Sequence, residues 1–331
     1  MKIKSPYTGK PMRTLYEPDT WKLRGEVYNY IRISFEDTDN GERFSTTESD
    51  TVGYNQVTNQ YRKRHGIPFT DEIIALRKRY GLSASKMSEV LGFGANQWRL
   101  YETGELPGDS NGKMIRSAMN PKVMLDIVKH SKSQFSDRDY IKLTTKIQNV
   151  IEQHASYHKE NSDIERLFST ERGEWNGYAP QSTARLKNLL LCVLDKFGET
   201  FKTQMNKLLF YIDFLSYRER GIAISGLGYM AIEFGPIPQK YERVYSEFDE
   251  VEQVPKMIHD YEGCVLLAGA KADMSLFSEA ERQIIDEVCD HFKGCSARQM
   301  SKISHQEPVW KNHVAAKEQL PFNEAFTLVS L

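Results

Sequence analysis

The apolar positions of this chain switch from period two to period 3.6 near residue 70. In "EVYNYIRISF" (Glu26 to Phe35), Val27, Ile31, Ile33 and Phe35 fall on one side of an extended chain, with Asn29 interrupting them. That alternation predicts a half-buried strand. Tyr28, Tyr30, Arg32 and Ser34 take the other side, so both faces are expected to be partly covered. "DTDNGERF" follows as a tight turn, because Asn40-Gly41 reaches positive φ at little cost. "TTESD" is then a helix start, with Thr47 as cap and acids at the positive end of the dipole. Residues 1–60 are therefore expected to form a β-rich domain.

From Thr70 onward the spacing is helical. "TDEIIALRKRYG" has Thr70 as N-cap, acids in the first turn, bases in the last and Gly81 as the C′ residue. "SASKMSEVLG" starts at Ser83 and puts Met87, Val90 and Leu91 on one side. "GFGANQWRLYETGELP" adds a third short helix that stops before Gly104 and Pro107. "PKVMLDIVKHS" opens with Pro121 at N1. A long helix from Asp137 to Lys159 carries Ile141, Ile147, Val150 and Ile151 as a buried stripe. Together these make a helical domain over 61–159. Residues 160–182 are polar and glycine-containing and are expected to be a linker, with Trp175 and Tyr178 docking on a neighbour.

A third domain is expected over 183–331. "ARLKNLLLCVLDKF" is apolar almost all round and predicts a central helix. The next helix has Met205, Leu208, Leu209, Ile212 and Leu215 on one face. An extended segment broken at Gly235-Pro236, a two-stranded ribbon in "PKMIHDYEGCVLLAGA" and capped helices complete it. The fold class is thus α+β and mostly helical: a small metal-free β ribbon, a helix-turn-helix bundle, and an α-rich domain with a small β element.

Composition narrows the function. A chain of 331 residues has room for two or three domains and a substantial core. Lys and Arg number 44 against 45 Asp and Glu, so any nucleic-acid surface has to be local. No stretch approaches eighteen apolar residues, and "MKIKSPYTGKPM" has no apolar leader. A cytoplasmic location, away from membranes, is expected. Cys192, Cys264, Cys289 and Cys295 are expected to be reduced. No Gly-rich phosphate loop, paired-carboxylate motif or Cys/His site points to an enzyme, and no cofactor is expected. Ser304-His305 lacks a third, orienting residue nearby, which favours a structural histidine. His154 and His158 have i,i+4 spacing but no intervening Glu of the "HE..H" type, and a solvated pair is expected.

Helix, glycine, short helix, tight turn and short helix over Thr70–Pro107 is the order of a helix-turn-helix. Its second helix crosses the DNA backbone and its third enters the major groove. Ser85 and Lys86 lie on the former. Trp98 and Tyr101 anchor the latter, with Phe93 as an apolar staple, and Asn96, Gln97 and Arg99 are left to meet base edges. Asn or Gln pairs with adenine and Arg with guanine, for about 1–3 kcal/mol of discrimination each. Arg62, Lys63, Arg64, Arg77, Lys78, Arg79, Lys86 and Arg99 outnumber the acids of the interval, as phosphate attraction requires. The order "GLSASKMSEVLGF" before "YETGELP" resembles the phage-repressor-like helix-turn-helix family. Double-stranded operator DNA and a homodimer across paired half-sites are the partners this implies.

"SPYTGKP", "RGEVYNY" and "DTDNGERFSTTESD" ahead of that motif resemble the MqsA-type antitoxins, in which a zinc ribbon precedes the helix-turn-helix. Ser5, Thr8, Asp37 and Asn40 stand where that family has cysteines, while Pro6, Gly9, Gly41 and Glu42 match. Zinc requires thiolate or imidazole corners, so a metal-free ribbon is expected, its polar side chains bonding the knuckle turns. Packing by Tyr7, Tyr16, Trp21, Tyr28, Tyr30 and Phe44 would then replace the metal. The family's recognition Asn matches Asn96, but its Arg falls at Leu100; Arg99 is one position earlier, about 100° round the helix. The same operator is therefore not implied.

The C-terminal marks are Lys207 to Tyr211, Asp213, Gly226, Tyr229, Phe234-Gly235-Pro236-Ile237-Pro238, Tyr241, Ser304-His305 and Trp310. In this order they resemble the Panacea, or SocA-like, antitoxin domain. That resemblance implies a cognate protein toxin as partner, with Tyr229, Phe234, Pro236 and Tyr241 as candidate contacts. The combined expectation is an antitoxin that neutralises its toxin by direct binding and represses its own transcription. A ligand-responsive transcriptional regulator without a toxin is the alternative.

Overall fold

The computed structural model describes residues 3–152, 166–258 and 261–331. It shows the expected mostly helical α+β class, in two compact units: Met1–Val57 with Asp163–Leu331, and Thr58–Ser162. The first 57 residues thus pack with the C-terminal half. Helix α1 (Thr47–His65) gives its first part to one unit and its second part to the other.

In the first unit, strands β1 (Arg13–Leu23), β2 (Glu26–Glu36) and β3 (Arg43–Phe44) form an antiparallel sheet in that order. Cross-strand register places Glu17 opposite Arg32 and Arg13 opposite Glu36. Arg43 bridges Glu17 and Glu36 as well, so this face is an exposed lattice of alternating charge. The other face is covered. Tyr16 packs on Phe326 there (5.5 Å between centroids), while on the charged face, toward the hairpin turn, Trp21 meets Tyr30 and Tyr54 at 5.8 and 6.3 Å. Gln56 of α1 bonds both the N–H and the C=O of Ile31 at 3.0 Å, closing the sheet against the helix. The expected alternation fails near the hairpin turn: Val27 is 59 % exposed and Tyr28 only 1 %. Tyr28 is held there by its hydroxyl on Glu26 (2.6 Å). Tyr7, expected to help pack the ribbon, is exposed.

Ser5, Thr8, Asp37 and Asn40, the positions expected to stand in for ribbon cysteines, are all hydrogen-bonded. Ser5 and Thr8 both donate to the Asp37 carboxylate. Ser5 Oγ accepts from Tyr7 N and Thr8 N, each at 3.1 Å, and Asp37 Oδ1 accepts from Asp39 N at 2.9 Å. Asn40 Oδ1 caps its own turn at Glu42 N (2.9 Å). This donor set does not fit zinc. Two corners are hydroxyls already donating to the third, and the fourth is committed to a backbone N–H. Among the described residues no group of three or more His, Cys, Asp or Glu is placed to hold a metal.

The rest of this unit surrounds one helix. Helices α8 (Thr183–Phe197) and α9 (Lys202–Arg220) are separated by the short strand β4 (Thr200–Phe201). Every residue of α9 from Gln204 to Arg218 is buried, so the helix has no solvent face. Strands β5 (Tyr229–Ile232) and β6 (Gly235–Pro238) form a hairpin, followed by α10 (Tyr241–Ser246). Strands β7 (Val251–Ile258) and β8 (Tyr261–Ala268) form the expected ribbon, which β4 joins in the order β4-β8-β7. Helices α11 (Glu279–His291), α12 (Ala297–Ser304) and α13 (Pro308–His313) close the unit. The segment expected as linker is built in from residue 166 onward. Leu167, Phe168, Asn176, Tyr178 and Ala179 are buried there, while Trp175 is 40 % exposed. All four cysteines are free thiols, and burial pushes Cys192 up to about 11 and Cys289 up to about 12.

The second unit holds α2 (Thr70–Tyr80), α3 (Ala84–Val90), α4 (Gln97–Glu102), α5 (Asp109–Ala118), α6 (Pro121–His130) and α7 (Asp137–Glu152). Two caps lie one residue before their expected place. Phe69, not Thr70, precedes α2, with its N–H on Glu72 (2.8 Å), and Thr46, not Thr47, caps α1 through Ser49 N. Ile141, placed in the buried stripe of α7, is 62 % exposed. Leu143 and Ile147 set that stripe, and two residues at 100° each carry Ile141 to the far side. The pair His154 and His158 lies outside the described residues.

The knuckle geometry yields a stability prediction. The Ser5 hydroxyl beside Asp37, together with Asp39 N–H, holds that carboxyl below its usual range. A depressed carboxyl stabilises the fold above the unfolded pKa of about 3.9, and that stability is lost as pH falls through the lower native value. Asp37→Ala is expected to lower the melting temperature at pH 7, with the gap closing below about pH 4. Thermal melts across pH, with and without added zinc, check this; zinc is expected to restore nothing.

Candidate functional site

Two arrangements bring sequence-marked residues together, one in each unit. In the helical unit the hub is Glu102. Its carboxylate accepts from Trp98 Nε1 at 2.9 Å and from Arg77 at 2.5 and 3.0 Å, joining both ends of α4 to α2. The carboxylate in turn raises the Arg77 guanidinium above its ordinary value. Trp98 N–H donates to Ser88 Oγ on α3 (2.9 Å), and Phe93 stacks on Trp98 and meets Tyr101 edge-on. Trp98 is fully buried and Tyr101 nearly so. The indole anchor and the staple expected from sequence are both in place.

That anchoring leaves Asn96, Arg99, Leu100 and Thr103 exposed on α4 and its ends. Asn96 occupies the N-cap position but makes no side-chain cap bond, so its amide is not spent on the helix. Gln97 is half-buried and reaches Glu105 at 3.4 Å. On α3, Ser85 is exposed beside the cap Ser83, while Lys86 donates to Glu89 (2.7 Å) and to the carbonyl of Gln134 (2.8 Å). Two arginines counted as phosphate-facing are instead structural. Arg62 is 1 % exposed and bonds the carbonyls of Pro68, Gly104 and Glu105. Arg77 is held by Glu102. A buried guanidinium fills carbonyl lone pairs that would otherwise go unsatisfied, and a count of charges cannot see that.

In the other unit the marks gather round the β5–β6 hairpin. Lys207 is 1 % exposed, and its ammonium donates to the carbonyl of Pro236 at 3.1 Å. Burial pushes this lysine down to about 7. Asp213, fully buried, accepts from the N–H of Ile224 and of Ser225 (2.8 Å each), from Ser225 Oγ and from Tyr229 Oη (2.5 Å). Burial pushes the Asp213 carboxyl up, against the pull of these donors. Trp310 Nε1 donates to Ile232 O (2.8 Å), and His305 stacks flat on Trp310 at 4.2 Å. Ser304 Oγ donates to Ser301 O, so Ser304 and His305 do not form a catalytic pair. Gly235 has φ +98, and a Cβ there would sit 2.6 Å from Ser304 Oγ and 2.7 Å from Lys207 Cε. Only glycine fits.

Of the four candidate partner contacts, Phe234 at the hairpin tip is 64 % exposed and Tyr241 is half-buried. Tyr229 and Pro236, expected on the surface, are buried instead. Tyr229 packs among Phe210, Phe214 and Phe322 because its hydroxyl is needed to satisfy Asp213. Lys207 and Asp213 carry the site's geometry, and the sequence held a signal for both. They are ionisable residues on a helix with no polar face, which their burial requires to be paired.

Residues 205–311 match the family model "Antitoxin SocA-like, Panacea domain". The C-terminal part of the chain therefore carries a SocA-like antitoxin domain, and the hairpin lies inside it. No curated protein and no solved structure gave a significant match.

A lysine whose native pKa is depressed binds fewer protons folded than unfolded between about pH 7 and 10.4, so stability rises with pH across that window. Denaturant melts between pH 7 and 8 are expected to show wild-type stability rising more steeply with pH than that of Lys207→Met, by up to about 1.4 kcal/mol per pH unit. Equal slopes would place the ammonium in water.

Proposed function

We propose that the chain is an antitoxin that grips a protein toxin through the exposed tip and flank of the β5–β6 hairpin and represses its own operator through α4. The observation that carries this reading is the hairpin within the SocA-like domain. A buried lysine, a buried carboxylate and an obligatory glycine fix a turn whose tip residue, Phe234, faces solvent. A large aromatic held rigid before binding loses little entropy on contact, which is how a few residues come to dominate an interface. Tyr241 supplies a second aromatic with a polar tip.

The DNA half of the proposal rests on α4. Trp98 and Tyr101 hold its inner side, while Asn96 and Arg99 stand outward, unspent on capping or ion pairing, and Gln97 flanks them. In this reading Ser85 on α3 meets the DNA backbone, with Lys86 exchanging its bonds to Glu89 and the Gln134 carbonyl for a phosphate. A homodimer spanning two half-sites accompanies this mode of binding.

Asn96→Ala combined with Arg99→Ala is expected to abolish operator binding in a gel-shift assay at low salt, while growth rescue from the neighbouring toxin gene stays intact. Phe234→Ala is expected to do the reverse, losing rescue by at least about tenfold in toxin affinity, the worth of one aromatic hot spot. If both variants fail both assays, the two activities are not separable and the reading fails.

A further inference from the structure

A cavity of about 620 Å³ opens beside the first turn of α9, in the C-terminal part of the chain. Lys202, Thr203 and Asn206 of that helix line it, Asn206 standing one turn (four and three residues) after the other two. Tyr241 and Glu242 of α10 and Ala297, the first residue of α12, line it as well. Besides that of the short α10, the N-termini of α9 and α12 therefore border one space. Gln204 ties them together: its Oε1 accepts from Phe201 N and its Nε2 donates to Cys295 O, both at 2.9 Å.

Apart from the Phe201 N–H, which Gln204 Oε1 takes up, the first-turn N–H groups of α9 receive no cap from the preceding residue, because Phe201 has no acceptor to offer. The donor end of a 19-residue helix thus faces the cavity. An independent feature points the same way. Asn206 is 3 % exposed, and its Oδ1 accepts from Tyr245 Oη at 2.6 Å. That bond occupies Oδ1, Nδ2 makes no hydrogen bond among the described residues, and Asn206 lines the cavity. Lys202 Nζ adds a cation, held by the Glu242 carboxylate at 2.6 Å. The lysine side chain is 20 % exposed and the glutamate 60 %, so the carboxylate sits on the outer side of the pair. Backbone N–H, amide N–H and ammonium are all donors, and one carboxylate already rests on the ammonium.

We propose that this cavity binds a small ligand through a phosphate or carboxylate group, which replaces Glu242 on Lys202 Nζ and accepts from Asn206 Nδ2 and the first-turn N–H groups of α9. The volume lies within the range of small-molecule sites. The site does not involve Phe234 or α4 and shares only Tyr241 with the proposed toxin surface, and none of the test variants below touches Tyr241, so its test is distinct from the toxin and operator tests.

Calorimetric titration of the full chain with inorganic phosphate, and separately with acetate, tests it against sodium chloride at matched ionic strength. Saturable binding of at least one of the two is expected; phosphate alone identifies a phosphorylated ligand, and both a general oxyanion site. Lys202→Gln is expected to weaken binding at least about tenfold, the worth of one charge-assisted hydrogen bond. Glu242→Gln, which removes the competing carboxylate, is expected to tighten it. Asn206→Asp keeps the acceptor for Tyr245 but loses the donor and adds negative charge, and is expected to abolish binding with the melting curve retained. Absence of saturable heat up to about 20 mM of either anion, or binding indifferent to Lys202→Gln and Glu242→Gln, would overturn the proposal.

Discussion

The bond from the Lys207 ammonium to the Pro236 carbonyl sets the terms for the C-terminal half of the protein. An ammonium withdrawn from water is costly unless it is paired or neutral. Here it has one carbonyl partner and a pKa pushed down to about 7. Six residues further along the same helix, Asp213 collects four donors from residues 224, 225 and 229. One fully buried helix therefore holds the hairpin at β6 and at the start of β5. Between those points the chain has little freedom, and the turn that carries Phe234 inherits that rigidity. Polar groups inside a core are poor sources of stability, but they fix one arrangement against others. A partner surface needs that fixity.

The helical unit solves a related problem with a different group. Glu102 takes the indole N–H of Trp98 and the guanidinium of Arg77 at once, so a helix of six residues is clamped to a neighbour it would otherwise leave. Isolated helices this short do not persist in water. The clamp consumes one arginine, and the support of the Gly104–Glu105 turn consumes another, Arg62. What is left for an outside partner is the short outward stripe begun by Asn96 and Arg99.

Much of this was legible from residue patterns. The cap at Ser83, Pro121 at the start of α6, the C-terminal Gly81, the Trp98 anchor, the β7–β8 ribbon and the polar bonding of Ser5, Thr8 and Asp37 all follow from local chemistry. Local rules erred by one residue where a side chain reached back, as at Phe69 through Glu72. They erred in phase where the buried face was set by other residues than the pattern suggested, as for Val27, Tyr28 and Ile141. The larger miss was tertiary. The packing of Tyr16 on Phe326, and the bond from Asn55 Nδ2 to Arg220 O, gather residues 1–57 and 163–331 into one unit, and no window of sequence contains both partners. Burial of Tyr229 and Pro236 escaped for a similar reason: an aromatic or a proline beside a turn looks alike whether its acceptor lies in the core or in a partner.

The central claim is that a preorganised hairpin meets the partner with its tip. Hydrogen–deuterium exchange of the full chain, alone and with the protein encoded by the adjacent gene, tests it most directly. Residues 229–238 should exchange slowly in the free protein, as a core-anchored element does, and the tip around Phe234 should slow further in the complex while α4 is unchanged. A hairpin that exchanges as fast as an open loop when free, or a complex whose added protection lies wholly elsewhere, would contradict the account.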